Sequence, residues 1–129
     1  MKSRLLTMLL LPAALTLPLA HAEIFDFGSS EPELTCALLN FCDLTLEEGE
    51  HVHSIQLGDA VRWHIDTAVS GSDEEQQVHV IIKPRRRGLR TSLLIATDRR
   101  TYHLKLRSSE KDNMQQVSFR YGSSRRAGG

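Results

Sequence analysis

The chain has no excess of charge of either sign: 16 lysines and arginines stand against 16 aspartates and glutamates. A protein that coats nucleic acid usually carries a strong basic excess, so that class is disfavoured and partners have to be sought in local patches. Nor is there an uninterrupted run of the ~20 apolar residues that span a bilayer. The longest greasy stretch, LLTMLLLPAALTLPLA, is broken by Pro12 and Pro18, which makes a permanent anchor the weaker reading. No nucleophile elbow, phosphate-cradling glycine loop or helical zinc-protease motif occurs, and the pairs Gly28-Ser29 and Gly71-Ser72 sit in polar surroundings. Hydrolase and nucleotide readings therefore start poorly. Nothing holds a helical period, and cysteine is scarce, with two residues in the whole chain.

What is present begins with an address. The basic start MKSR, the apolar stretch and the small residues of Ala20-His21-Ala22 follow the order of a secretory signal with cleavage after Ala22. No cysteine follows directly, which argues against a lipoprotein. The remainder, 23–129, is long enough for one small domain and too short for two. Loss of Lys2 and Arg4 leaves 14 basic against 16 acidic residues, a net charge of −2. Cys36 and Cys42 both lie in the exported part, where an oxidising compartment favours a disulfide. A redox or metal-binding pair normally uses a two-residue gap, whereas a staple of this small loop contributes roughly 2 to 2.5 kcal/mol.

After a flexible polar lead over 23–33, short alternating runs separated by turn signals predict an all-β domain. CDLTL (42–46) and VHSIQL (52–57), joined by the turn EEGE, read as a hairpin. In VRWHID (61–66), Val61, Trp63 and Ile65 form the core face. The polar stretch 68–77 reads as the most mobile internal loop. VHVIIKP (78–84) is apolar on both parities, as in a strand covered on both sides, and TSLLIAT (91–97) is similar. Asp98-Arg99 makes a tight turn into a strand with Tyr102, Leu104 and Leu106 inward. QVSFRY then puts Val117, Phe119 and Tyr121 on one face. About seven strands with mostly short turns predict an antiparallel β-sandwich or small barrel, and 122–129 reads as a flexible tail.

Three groups of residues invite a chemical reading. His51 and His53 share one strand face, and with His64, His79 or His103 would have to complete a transition-metal site, yet no acid is fixed among them by spacing and the thiols are assigned to each other. Lys83, Arg85, Arg86, Arg87 and Arg90 crowd one turn, which suits an acidic protein or a headgroup. The plain alternative is a solvated tip that keeps an edge from aggregating. No aromatic residue is interleaved for base stacking, so nucleic acid fits this turn poorly. Trp63, the one tryptophan, reads as core rather than ligand platform.

Leu57-Gly58-Asp59, Arg62-Trp63, Ser70-Gly71, His79 with Ile81-Ile82-Lys83-Pro84, Gly88-Leu89, Thr91-Ser92-Leu93 and above all TDRRTYHLKL, with Thr97, Asp98, Arg99, Arg100, Thr101, Tyr102, Leu104 and Leu106, resemble the TrbG/CagX family. That family includes the ninth protein of the VirB operon, and its members serve type IV secretion and conjugal DNA transfer in the periplasm. The resemblance runs from about Cys36 to Tyr121 and implies a scaffold: a β-rich N-terminal domain, here 34–121, of a ring-forming outer-membrane core complex. In typical members a linker and a second β-domain follow, the latter joining a small lipoprotein and a membrane-spanning channel subunit. The chain ends at Gly129, so that second domain is expected to be absent and the lipoprotein contact is not carried over. The resemblance thus implies a non-enzymatic structural subunit without cofactor. The alternative is a small exported metal- or ligand-binding β-domain.

Overall fold

The alternating runs become strands because each places one apolar parity against a facing layer. The structure, a computed structural model, describes residues 22–28 and 30–122. The expected export signal lies outside these residues except for Ala22, and so does the expected tail except for Gly122. Nine strands are present among the described residues: β1 (Ala22–Asp26), β2 (Glu33–Ala37), β3 (Cys42–Thr45), β4 (Val52–Leu57), β5 (Trp63–Ser70), β6 (Gln77–Pro84), β7 (Arg90–Thr97), β8 (Thr101–Ser109) and β9 (Gln116–Arg120). A single 3-10 turn, Asp73–Glu75, interrupts them. None of the described helical segments is long and apolar enough to cross a membrane.

The strands form two sheets, in the order β1-β9-β3-β6-β5 and β2-β8-β7-β4. Their facing sides supply the core. Leu44, Trp63, Val80, Ile82 and Val117 come from the first sheet, and Leu34, Leu93, Ile95, Tyr102, Leu104 and Leu106 from the second. The β-sandwich is the expected class, and the inward parity of β8 is the one the alternation indicates. Cys36 and Cys42 are joined by a disulfide with a Cα separation of 5.8 Å. It staples the end of β2 to the start of β3, and so one sheet to the other.

Several local expectations give way to tertiary pairing. The sheets are mixed rather than purely antiparallel: β1 and β3 run parallel to β9, and β2 runs parallel to β8. The runs 42–46 and 52–57 do not form a hairpin. β3 pairs with β6 and β9, β4 pairs with β7, and the EEGE turn crosses between the sheets. Only β5–β6 and β7–β8 are antiparallel neighbours in both sequence and space. The polar lead contains a strand, β1, which cleavage after Ala22 would leave as Glu23–Asp26, and at its end the first residue of another, β2. Val61 is 79% exposed and precedes β5, whereas Trp63 is buried. Ala68, Val69 and Ser70 extend β5 into the stretch read as a loop, which shortens the connection to 71–76.

Candidate functional site

The run TDRRTYHLKL is built around a buried carboxylate that arrives from the other side of the sandwich. Glu50, at the end of EEGE, is fully buried. It accepts from Thr97 Oγ1 at 2.6 Å, from Arg100 Nη1 at 3.0 Å and from the Tyr102 hydroxyl at 2.7 Å, and the Glu47 N–H reaches it at 3.2 Å. With the Tyr102 proton directed at Glu50, the Tyr121 hydroxyl, 2.7 Å away, donates to the Tyr102 oxygen. Arg100 also donates through Nη2 to Glu47 at 3.1 Å, and its guanidinium lies 3.8 Å from the centre of the Tyr121 ring. Each buried charge thus has an opposite charge and several hydrogen bonds, the arrangement that makes ion burial tolerable.

The rim of this clasp is fixed in the same way. Arg99 donates to Glu47 Oε1 at 2.6 Å and to the Glu48 carbonyl at 2.8 Å. Asp98 Oδ1 accepts the His51 N–H at 2.9 Å, while the Asp98 N–H donates to the His51 carbonyl at 3.0 Å. Thr97 Oγ1 accepts the N–H groups of Arg99 and Arg100 and so closes the β7–β8 turn. Gly49 is required by the approach: its φ is +78°, and a Cβ there would meet Arg99 Nη2 at 3.0 Å. Burial works against ionisation of Glu47, but the hydrogen bonds from Arg100 and Arg99 outweigh it and hold the carboxyl below its usual range. The His51 N–H does the same for Asp98. For Tyr102, burial leads in pushing the hydroxyl far above its ordinary value. Thr101 begins β8 on its outer parity.

A second turn holds Gly58, Asp59, Arg62 and Trp63. Asp59 accepts the N–H groups of Val61 and Arg62 and pairs with Arg62 Nε at 2.6 Å. The Arg62 N–H leads in keeping its carboxyl low. A Cβ on Gly58 would meet Thr91 Oγ1 at 2.6 Å, so glycine permits the close packing against β7. Pro84 stands opposite Trp63 in the register.

The basic residues are not gathered on one face. Lys83 lies on the outer side of β6, and Arg90 lies on the outer side of β7 in the other sheet. Arg85, Arg86, Arg87 and Gly88 form the exposed bend that crosses between the sheets, so this is a rim of the sandwich and not a hairpin tip. The Arg85 N–H donates to the Arg62 carbonyl at 2.8 Å, which brings Arg62 to the same end. Arg87 pairs with Glu110 at 3.5 Å with both side chains mostly exposed. Arg90 stands opposite Arg107 in the register, which extends positive charge along the outer face of β8 to Lys105.

The histidines are dispersed. His51, His53, His64 and His103 are exposed on different elements, and the described residues contain no group of three side chains suited to hold a metal. His79 has local partners that spacing did not reveal: Nδ1 lies 2.9 Å from Asp43 Oδ1, and Nε2 lies 2.7 Å from Ser70 Oγ. Hydroxyl, imidazole and carboxylate follow the order of a nucleophilic triad. They lie across the outer side of β5, β6 and β3, and the adjoining loop exposes Asp73, Glu74 and Glu75, whose charge opposes a developing oxyanion. The arrangement ties three strands together.

A family model described as CagX, conjugal transfer protein, matches residues 22–128. A probable conjugal transfer protein TrbG from Sinorhizobium fredii (strain NBRC 101917 / NGR234) is 43% identical over 98 residues, which cover 76% of this chain and 36% of the relative. The chain therefore matches about a third of that relative's length. Among solved structures, the cysteine protease inhibitor EhICP2 from Entamoeba histolytica superposes with a TM-score of 0.50 at 11% identity, covering 67% of this chain and 94% of the inhibitor. That likeness concerns the fold alone.

Proposed function

We propose, from the premise that the chain belongs to the CagX family of conjugal transfer proteins, that it is a non-enzymatic structural subunit of a type IV secretion or conjugal DNA-transfer channel. It works in the periplasm after removal of a signal over 1–22, and reaches the outer-membrane core complex through partner proteins. One observation supports the reading: in the run Thr97 to Leu106, Thr97, Asp98, Arg99, Arg100 and Tyr102 are engaged by the Glu50 clasp and its rim, and Leu104 and Leu106 fill the core. Such a module contributes shape and surface rather than a reaction.

To the domain assigned to 34–121, the structure adds β1 and the first residue of β2. In this reading the basic rim, Lys83, Arg85, Arg86, Arg87 and Arg90, steers an acidic surface of another core protein, as exposed charge sets encounter more than affinity. A membrane-spanning channel subunit is the expected partner. Contact with a small lipoprotein needs chain beyond this domain.

The test is deletion of the gene in a conjugating donor, with complementation by the wild-type chain and by the Arg85→Ser, Arg86→Ser, Arg87→Ser triple variant. Deletion should abolish or strongly reduce transfer, and the triple variant should recover other transfer proteins poorly in low-salt pull-downs. Undiminished transfer after deletion overturns the reading.

A further inference from the structure

The sandwich has two unlike ends. At one of them β7 turns into β8 and the Glu50 clasp closes. At the other β2, β4, β6 and β8 finish, and the connections 38–41, 58–62, 85–89 and 110–115 lie side by side. Backbone bonds join them: Leu38 N–H donates to the Ser109 carbonyl at 2.9 Å, Gly88 N–H to the Ser108 carbonyl at 3.2 Å, and Arg85 N–H to the Arg62 carbonyl. This second end carries Leu39, Phe41 and Val61, three of the five large apolar residues that are exposed among the described ones. By the strand order, the bend with Arg85, Arg86 and Arg87 lies between the Leu39–Phe41 loop and the Val61 loop. Single exposed apolar residues need no explanation, but three on adjoining loops around one basic bend form a patch.

Leu39 is the sharpest feature of that patch. It is 96% exposed, so it gives the core nothing, and its φ of 65° is the left-handed conformation that glycine or asparagine adopts more readily. The loop that presents it is fixed. The Cys36–Cys42 disulfide closes it, Asn40 N–H donates to the Ala37 carbonyl at 3.2 Å, and Asn113 Nδ2 donates to the Phe41 carbonyl at 3.2 Å. A strained, exposed leucine on a rigid loop serves nothing within the fold. Around it the acids already have partners: Asp59 pairs with Arg62, Glu110 with Arg87 and Asp112 with Arg107. Arg85, Arg86 and Lys111 make no side-chain ion pair among the described residues, so the charge left over at this end is positive.

We propose that this end docks on another protein of the transfer system, with Leu39 and Phe41 as buried anchors, Val61 as a second apolar contact, and Arg85, Arg86 and Arg87 reaching carboxylates between the two. The contact rests on the channel reading and adds to its basic rim the apolar centre that charge alone lacks. Anchors in pockets hold a complex together, while surrounding charge sets encounter and register. The partner's face therefore carries an apolar pocket for the 38–41 loop with acidic residues beside it. The fixed order apolar, basic, apolar suits a protein face better than a lipid surface, because a preformed loop gains most against a preformed pocket.

Leu39→Asn keeps the left-handed backbone and removes the anchor. In the full chain, tagged and expressed in a conjugating donor that lacks its own copy, it should leave the thermal melt unchanged or slightly raised and lower recovery of the partner transfer protein about tenfold, at low and high salt alike. The deficit of the Arg85, Arg86, Arg87 serine variant should instead shrink as salt is raised. Photoreactive p-benzoylphenylalanine placed at Leu39 or at Val61 should cross-link to the same transfer protein, identified by mass spectrometry, and placed at Val69, exposed near the other end of β5, should not. Full recovery with Leu39→Asn overturns the proposal and leaves the channel reading standing. So do cross-links from Leu39 or Val61 to phospholipid, to a second copy or to nothing in a donor whose transfer requires this chain. A donor that transfers undiminished without the chain removes both.

Discussion

Two arginine-rich turns leave strands of this sandwich, and they meet opposite fates. At the β7–β8 turn, Arg100 is 18% exposed, hydrogen-bonded to Glu47, Glu50 and Tyr102, and stacked on Tyr121. At the β6–β7 bend, Arg85 and Arg86 make no side-chain ion pair among the described residues, and Arg87 has one mostly exposed pair. The difference lies in what the opposite loop presents. EEGE brings two carboxylates and a positive-φ glycine to the first turn, whereas the second projects beyond any such partner. The same side chain is thus structural in one place and available to a partner in the other.

That contrast can be broken in order of expected effect. Arg100→Ala should cost about 3 to 5 kcal/mol in urea unfolding, because it leaves the Glu50 charge buried without its cation. A loss below about 1 kcal/mol, the range of exposed pairs, would make the two turns equivalent. Tyr102→Phe removes the hydroxyl shared by Glu50, Arg100 and Tyr121 and should cost about 1 to 3 kcal/mol. Next comes the acid limb. The folded Glu47 and Asp98 carboxyls titrate below their ordinary values, so their contribution is present above about pH 4 and is lost as the pH falls through the folded values. Thermal melts taken downward from neutral pH should therefore fall less steeply for Glu47→Gln than for the wild type. An unchanged slope would remove Glu47 from the clasp. The smallest effect belongs to the bend: replacing Arg85, Arg86 and Arg87 with serine should leave stability within about 0.5 kcal/mol.

Much of the fold was legible where one strand's own pattern decides the outcome. Trp63 facing inward and the burial of Tyr102, Leu104 and Leu106 follow from period-two alternation. Partnership was not legible. Residues 42–46 and 52–57 look like a hairpin because they are adjacent and EEGE resembles a turn, yet Glu50 in that turn is among the most buried residues of the chain. Its partners, Thr97, Arg100 and Tyr102, are about fifty positions away, and no periodicity records a contact of that length. The available signal was complementary composition: two acids flanking a glycine in one turn, two arginines in another. β1 and β2 were missed because short segments among Glu, Ser, Gly and Pro carry little apolar pattern. Their strand character comes from β9 and β8, which offer parallel edges. The same reason hides Asp43 and Ser70 from His79.

The pairing of β1 with β9 has a consequence for how the molecule comes into being. Ala22 lies beside Gln116, and β9 sits between β1 and β3. The first sheet thus lacks an interior member until β9, which follows the eight other strands in chain order, has been made. Closing so large a loop is entropically costly and places the domain among slow, high-contact-order folders. A nascent chain still missing its last strand has no complete first sheet to form. It emerges open, with β1 waiting for a partner that arrives last.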